Sequence, residues 1–135
     1  MADTAPYVRV LEGDVPAVST AGNDDSIVFA QAPFDCTVTA VEYVPEAGIT
    51  GAATNHRTVS LVNKGQDGSG STAVASLTFD NGVNATAYNE RAIILSGTAA
   101  NLDLAAGDTL QWQSIHVATG ITDPGGVVRV TVSRR

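Results

Sequence analysis

The stretch Val127-Val128-Arg129-Val130-Thr131-Val132-Ser133 decides the fold. Val128, Val130 and Val132 alternate with Arg129, Thr131 and Ser133, so an extended chain buries the valines and wets the other face. A helix would scatter both sets around its axis. The period of two therefore predicts a half-buried antiparallel strand.

Working outward, seven further segments carry strand signals: Tyr7 to Leu11, Ser26 to Gln31, Cys36 to Val44, Arg57 to Asn63, Thr72 to Phe79, Glu90 to Leu95 and Thr109 to Val117. Ile27 shares a face with Phe29, Val59 with Leu61, and Ala73 with Ala75, Leu77 and Phe79. Thirteen glycines and five prolines interrupt the chain too often for long helices. The connections have hairpin chemistry: Lys64 to Ser71 is a Gly- and Ser-rich tip, and Asp80-Asn81-Gly82, Ala106-Gly107-Asp108 and Asp123-Pro124-Gly125-Gly126 are turns. Pro45 to Asn55 is a longer loop, and Asn84 to Asn89 is the one non-strand segment suited to a helical turn.

Two candidates change phase. Val38 lies opposite Val41 and Tyr43, and Leu110 with Trp112 gives way to Ile115 with Val117. Either a β-bulge at each change keeps the apolar residues inward, or both faces are partly covered, by a second sheet or by another subunit. About eight short strands with mixed connections predict an all-β, two-sheet antiparallel sandwich, with a jelly roll favoured over an immunoglobulin-like Greek key. The expected division is an N-terminal arm or irregular segment over 1–25 and a β-sandwich domain over 26–135.

At 135 residues the chain suits one core, burying roughly two-thirds of the surface its unfolded form exposes. Only 16% of residues are charged, and 14 acidic against seven basic ones give a net charge of −7. That balance repels nucleic-acid backbones and anionic membrane surfaces, and the arginines form no basic stripe. The lone Cys36 excludes an internal disulfide. The start, Met-Ala-Asp-Thr-Ala-Pro, lacks a secretory pattern, and no apolar run reaches the roughly 18 residues of a membrane helix. Synthesis and folding in a bacterial cytoplasm are expected.

The residues that could carry chemistry do not form a recognisable set. His56 and His116 lack metal-ligand spacing, and His116 would need folding to bring it to Ser114 or Cys36 before it could activate either. Lys64 precedes its glycines and a strand follows them, the reverse of a phosphate-binding loop. Asp24, Asp25 and Asp35 lack the spacing of a calcium loop, and the phase of Trp112 with Leu110 favours core burial over a carbohydrate platform. No catalytic, cofactor-binding or metal-binding residue is assigned, no cofactor is expected, and the chain is read as not an enzyme.

The stretches Ala32-Pro33-Phe34-Asp35-Cys36-Thr37-Val38, Val41-Glu42-Tyr43-Val44-Pro45 and Ile49-Thr50-Gly51-Ala52 resemble small proteins that accompany the major capsid protein in phages of actinobacteria. So does Asn101 to Leu110, together with Asp123-Pro124-Gly125-Gly126. The resemblance covers about residues 26–133. It implies a capsid decoration, or head-stabilising, protein: a virion component on the capsid exterior that binds the major capsid protein, as a homotrimer. The alternative is a fibre or surface β-domain that binds host-wall glycan. An exposed aromatic platform would favour the glycan; a flat apolar patch beside a mobile arm would favour the structural role.

Overall fold

The computed structural model describes residues 7–135. Its strands are β1 (Val8–Val15), β2 (Asp25–Gln31), β3 (Cys36–Pro45), β4 (His56–Gly65), β5 (Thr72–Thr78), β6 (Arg91–Ala92), β7 (Ile94–Leu95), β8 (Asp103–Leu104), β9 (Thr109–Val117) and β10 (Gly126–Arg134). A single 3-10 turn, Ala99–Leu102, precedes β8, and no α-helix occurs among the described residues. The first sheet runs β1-β10-β3-β6, with β8 also on β3; the second runs β2-β9-β4-β5-β7.

All named strand pairs are antiparallel, and the pairing has a simple logic. β1 pairs β10, β2 pairs β9 and β3 pairs β8, as in one long ribbon whose arms run back along each other. Rolling that ribbon brings β10 against β3 and β9 against β4, which generates the two sheets of a jelly roll. Residues 8–15, from the segment expected as an arm, form an edge strand paired with β10 along their full length. Residues 1–6, the rest of that segment's start, lie outside the described residues.

The inward phases meet between the sheets. Cys36, Val38, Val41 and Tyr43 of β3 and Val128, Val130 and Val132 of β10 face Val59 and Leu61 of β4, Leu77 of β5, and Leu110 and Trp112 of β9. Trp112 packs on Tyr43 with ring centroids 5.5 Å apart. Cross-strand and cross-sheet contacts of this kind supply the apolar burial that offsets chain ordering.

The two changes of phase resolve differently. In β3 the register slips between Thr131 and Val132 of β10, leaving Thr39 as the extra residue, so Val38 and Val41 both turn inward. In β9 no slip falls between Trp112 and Ile115, and Ile115 and Val117 point outward, 40% and 38% exposed. Glu90 to Leu95 also differs from a single strand. Arg91–Ala92 joins the first sheet, Ile94–Leu95 joins the second, and the buried Ile93 between them donates its N–H to Val41 O at 2.8 Å. The helical turn expected at Asn84 to Asn89 is replaced by a β-bridge between Ala85 and Ile49 and a tight turn beyond it.

Candidate functional site

The outward face of the second sheet is set by its registers. Ser26, Gln113, Ser60, Ser76 and Ile94 form one cross-strand row; Val28, Gln111, Val62 and Ala73 form another; Ile115, Thr58 and Thr78 form a third. No Asp, Glu, Lys or Arg occupies a paired outward position of this five-stranded face. Lys64 lies at its margin, on a bulge between Asn63 and Gly65. Nor does it carry Phe, Tyr or Trp. Its exposed apolar groups are Val28, Ile94, Ile115 and Val117.

Its polar groups bond within the plane. Thr58 and Thr78 hydroxyls are 2.9 Å apart and those of Ser60 and Ser76 3.0 Å. Gln113 Nε2 donates to Gln111 Oε1 at 2.8 Å, and Gln31 Nε2 to Thr109 Oγ1 at 3.0 Å. Groups already bonded to one another lose less when water is removed above them, so covering this face is cheaper than its hydroxyl and amide content suggests. The outward face of the first sheet is its opposite. There Arg129 bridges Glu12 on β1 and Glu42 on β3, at 2.9 and 3.5 Å.

Beneath one end of the sandwich lies a buried polar network. Arg57, 1% exposed, enters from the inward phase of β4. Its Nε donates to Ile121 O at 2.7 Å, and its Nη2 to Ala21 O and Asn23 O, both at 3.0 Å. Nη1 donates to Ser114 Oγ at 3.3 Å, and that hydroxyl donates to Asp123 Oδ2 at 2.6 Å. Asp123 Oδ1 accepts from Tyr43 Oη at 2.5 Å and from Gly125 N at 3.1 Å. Burial lowers the Arg57 pKa, against the pull of Asp123 and Asp24. Burial beside Asp123 pushes the Tyr43 phenol far up. Four side chains thus tie the β1–β2 and β9–β10 connections to both sheets. Every hydrogen-bonding group of the network faces protein, so the arrangement holds loops and offers no surface to a substrate.

The sequence candidates for chemistry are dispersed. His116 Nδ1 lies 2.6 Å from Asp24 Oδ1, which also accepts the His116 N–H at 2.8 Å. These bonds lower the Asp24 pKa, the backbone N–H most. Ser114 is committed to Asp123, and Cys36 is buried in β3 of the other sheet, where desolvation raises its pKa. His56 Nδ1 contacts Ala52 O at 3.0 Å. Asp35 accepts from Ala106 N at 2.9 Å and makes no contact with the Asp24–His116 pair. Among the described residues no group of three or more His, Cys, Asp or Glu side chains could hold a metal ion. Lys64 to Ser71 forms the β4–β5 tip, with Asp67 Oδ1 accepting from Ser69 N and Oγ at 3.0 and 2.6 Å. Trp112 is buried, 2% exposed.

Sequence reasoning missed the Arg57 network. Its signal was present: Arg57 shares the phase of Val59 and Leu61, and an arginine on the inward phase of a strand needs buried acceptors. The acceptors themselves come from loops distant in sequence.

No protein-family model matches the chain, and no curated protein matches it. Among solved structures the fold is similar to part of a chain in the structure of infectious bursal disease virus, Gx strain, with a TM-score of 0.48 and 11% identity. The match takes in 96% of this chain but 32% of that one, so this chain spans about a third of the length of the viral chain.

Proposed function

We propose that this chain is a structural virion protein that binds the exterior of a phage capsid and stabilises the shell, acting by association and not by catalysis. The observation that carries the reading is the uncharged outer face of the second sheet. A chain of net charge −7 keeps the paired outward positions of a five-stranded sheet free of Asp, Glu, Lys and Arg, with polar groups bonded in plane. Depletion of charge is the compositional mark of the centre of an interface. Covering Val28, Ile94, Ile115 and Val117 would add apolar burial at about 25 cal/mol per Å².

The face lacks an aromatic platform, which favours a protein partner over host-wall glycan. The exposed tyrosines, Tyr7 and Tyr88, are on other parts of the surface. The sequence resemblance over residues 26–133 names the partner class, the major capsid protein, and the homotrimer as the assembled unit. Of the two strands that change phase, β3 turns its apolar side chains inward through the Thr39 bulge, whereas β9 leaves Ile115 and Val117 outward on the uncharged face. Neither nucleic acid nor membrane is assigned as a partner; no helix is long and apolar enough to cross a membrane among the described residues.

The test is sedimentation of purified protein with undecorated capsids. The proposal requires saturable recovery in the pellet, and protein that stays in the supernatant at high excess removes its support.

A further inference from the structure

A cleft of about 350 Å³ opens at the end of the first sheet, on the side away from the uncharged face. Its floor is a pair of cross-strand rows: Asp14, Val127 and Val44, then Val15, Gly126 and Pro45. Gly126 keeps the floor notched, since a Cβ there would collide with the carbonyl of Val44. Glu46 and Tyr88 complete the walls.

Three features of this cleft point to one ligand chemistry. First, its acids are unmatched. In the adjacent row Arg129 pairs Glu12 and Glu42, whereas Asp14 and Glu46 have no ion-pair partner among the described residues. Second, Val44, Val127 and Pro45 make the floor apolar, which suits the methylene stem of a long basic side chain. Third, Tyr88 is 83% exposed at the rim. Its backbone sits in the left-handed region, at φ 61°, fixed by donation of its N–H to Pro45 O at 2.9 Å. The cleft thus keeps a tyrosine in its lining at a conformational cost that glycine would avoid.

We propose that this cleft receives an arginine side chain from a partner polypeptide. A guanidinium can donate to the carboxylates of Asp14 on the floor and Glu46 on the wall while stacking its face on the tyrosine ring. An ammonium makes the ionic contact without the stack. The proposal goes beyond the structural reading above: the cleft lies on the side away from the shell-binding face, so the arginine belongs to a further polypeptide that meets the domain from its outer side.

The test needs no capsid, so its failure is separable from failure of shell binding. Isotope-labelled full-length protein is titrated with N-acetyl-arginine amide, its neutral isostere N-acetyl-citrulline amide, and N-acetyl-lysine amide, following backbone amide shifts. The arginine probe should move Glu46, Tyr88, Gly126 and Val127, with the citrulline probe silent. The double variant Asp14→Asn/Glu46→Gln should weaken binding about tenfold or more, as expected when charge-assisted bonds are lost. Tyr88→Gly separates roles: it should unfold at the same or higher denaturant concentration and yet bind several-fold more weakly. Equal responses to arginine and citrulline, equal responses to arginine and lysine, or unchanged binding by the double variant would each overturn the assignment.

Discussion

Arg57 and Asp123 are among the costliest residues to alter. Each is almost fully buried: removing Arg57 takes the donor from the carbonyls of Ile121, Ala21 and Asn23 and leaves the Asp123 charge uncompensated, and removing Asp123 takes the acceptor from the Tyr43 and Ser114 hydroxyls and leaves the Arg57 charge uncompensated. Arg57→Met should therefore destabilise the fold by roughly 3–5 kcal/mol, read as a lower denaturation midpoint with an unchanged slope. Tyr43 adds a pH signature. Its folded pKa is raised, by burial first and Asp123 second, above the unfolded value near 10.0. The unfolded state therefore releases the proton first as pH rises. The stability tied to the neutral phenol is complete below pH 10 and is lost progressively above it. Denaturation midpoints should fall steeply above that pH, and Tyr43→Phe, weaker at neutral pH, should fall less. Cys36 was legible as a core residue from its place at the head of an apolar strand. Cys36→Ser buries a hydroxyl among Val38, Leu104 and their neighbours and should cost about 1–3 kcal/mol. Thiol reagents should leave the folded protein unmodified, since burial and a raised pKa both suppress the thiolate.

At the scale of elements, what was local in the chain could be read and what depended on pairing could not. The alternation of β10 fixed its inward valines, and the Gly- and Ser-rich run Lys64 to Ser71 fixed a hairpin tip. Whether β3 would bulge or expose its second phase depended on its register against β10, ninety residues away in sequence, which no local pattern encodes. The two-residue strands β6, β7 and β8 exist only by virtue of their partners, so Glu90 to Leu95 read as one strand although Ile93 hands the chain from sheet to sheet. Turn chemistry supplies a contrast that equilibrium unfolding can measure. Gly68, at φ 82° with open space around it, should cost about 1–2 kcal/mol on replacement by alanine, from backbone conformation alone. Gly51→Ala should cost more, roughly 3 kcal/mol, because a Cβ there meets the carbonyl oxygens of Asp80 and Val83 and the loop must move. Similar costs at the two positions would show that the 45–55 loop is looser than its bridge between Ile49 and Ala85 implies.

The whole molecule has two unlike faces, one laced by Arg129 with Glu12 and Glu42, the other without charge. That difference was implicit in the sequence, in Ser, Thr, Gln and Val at the outward positions of β4, β5 and β9, but became a surface only when the registers aligned them. Light scattering across a dilution series should give a mass three times the 13.8 kDa of one chain if trimers form away from the capsid. A monomer mass throughout would confine self-association to the shell. Co-sedimentation of face-specific variants with undecorated capsids tests whether the uncharged face is the one that lies against the capsid exterior. Val28→Lys and Ser60→Lys place charge on that face, whereas Val10→Lys places it on the opposite one. All three positions face outward on strands, so each variant should fold as the parent does. If that face binds the shell, Val10→Lys pellets with capsids like the parent chain while Val28→Lys and Ser60→Lys remain in the supernatant. Pelleting by both face variants at parental levels would contradict it.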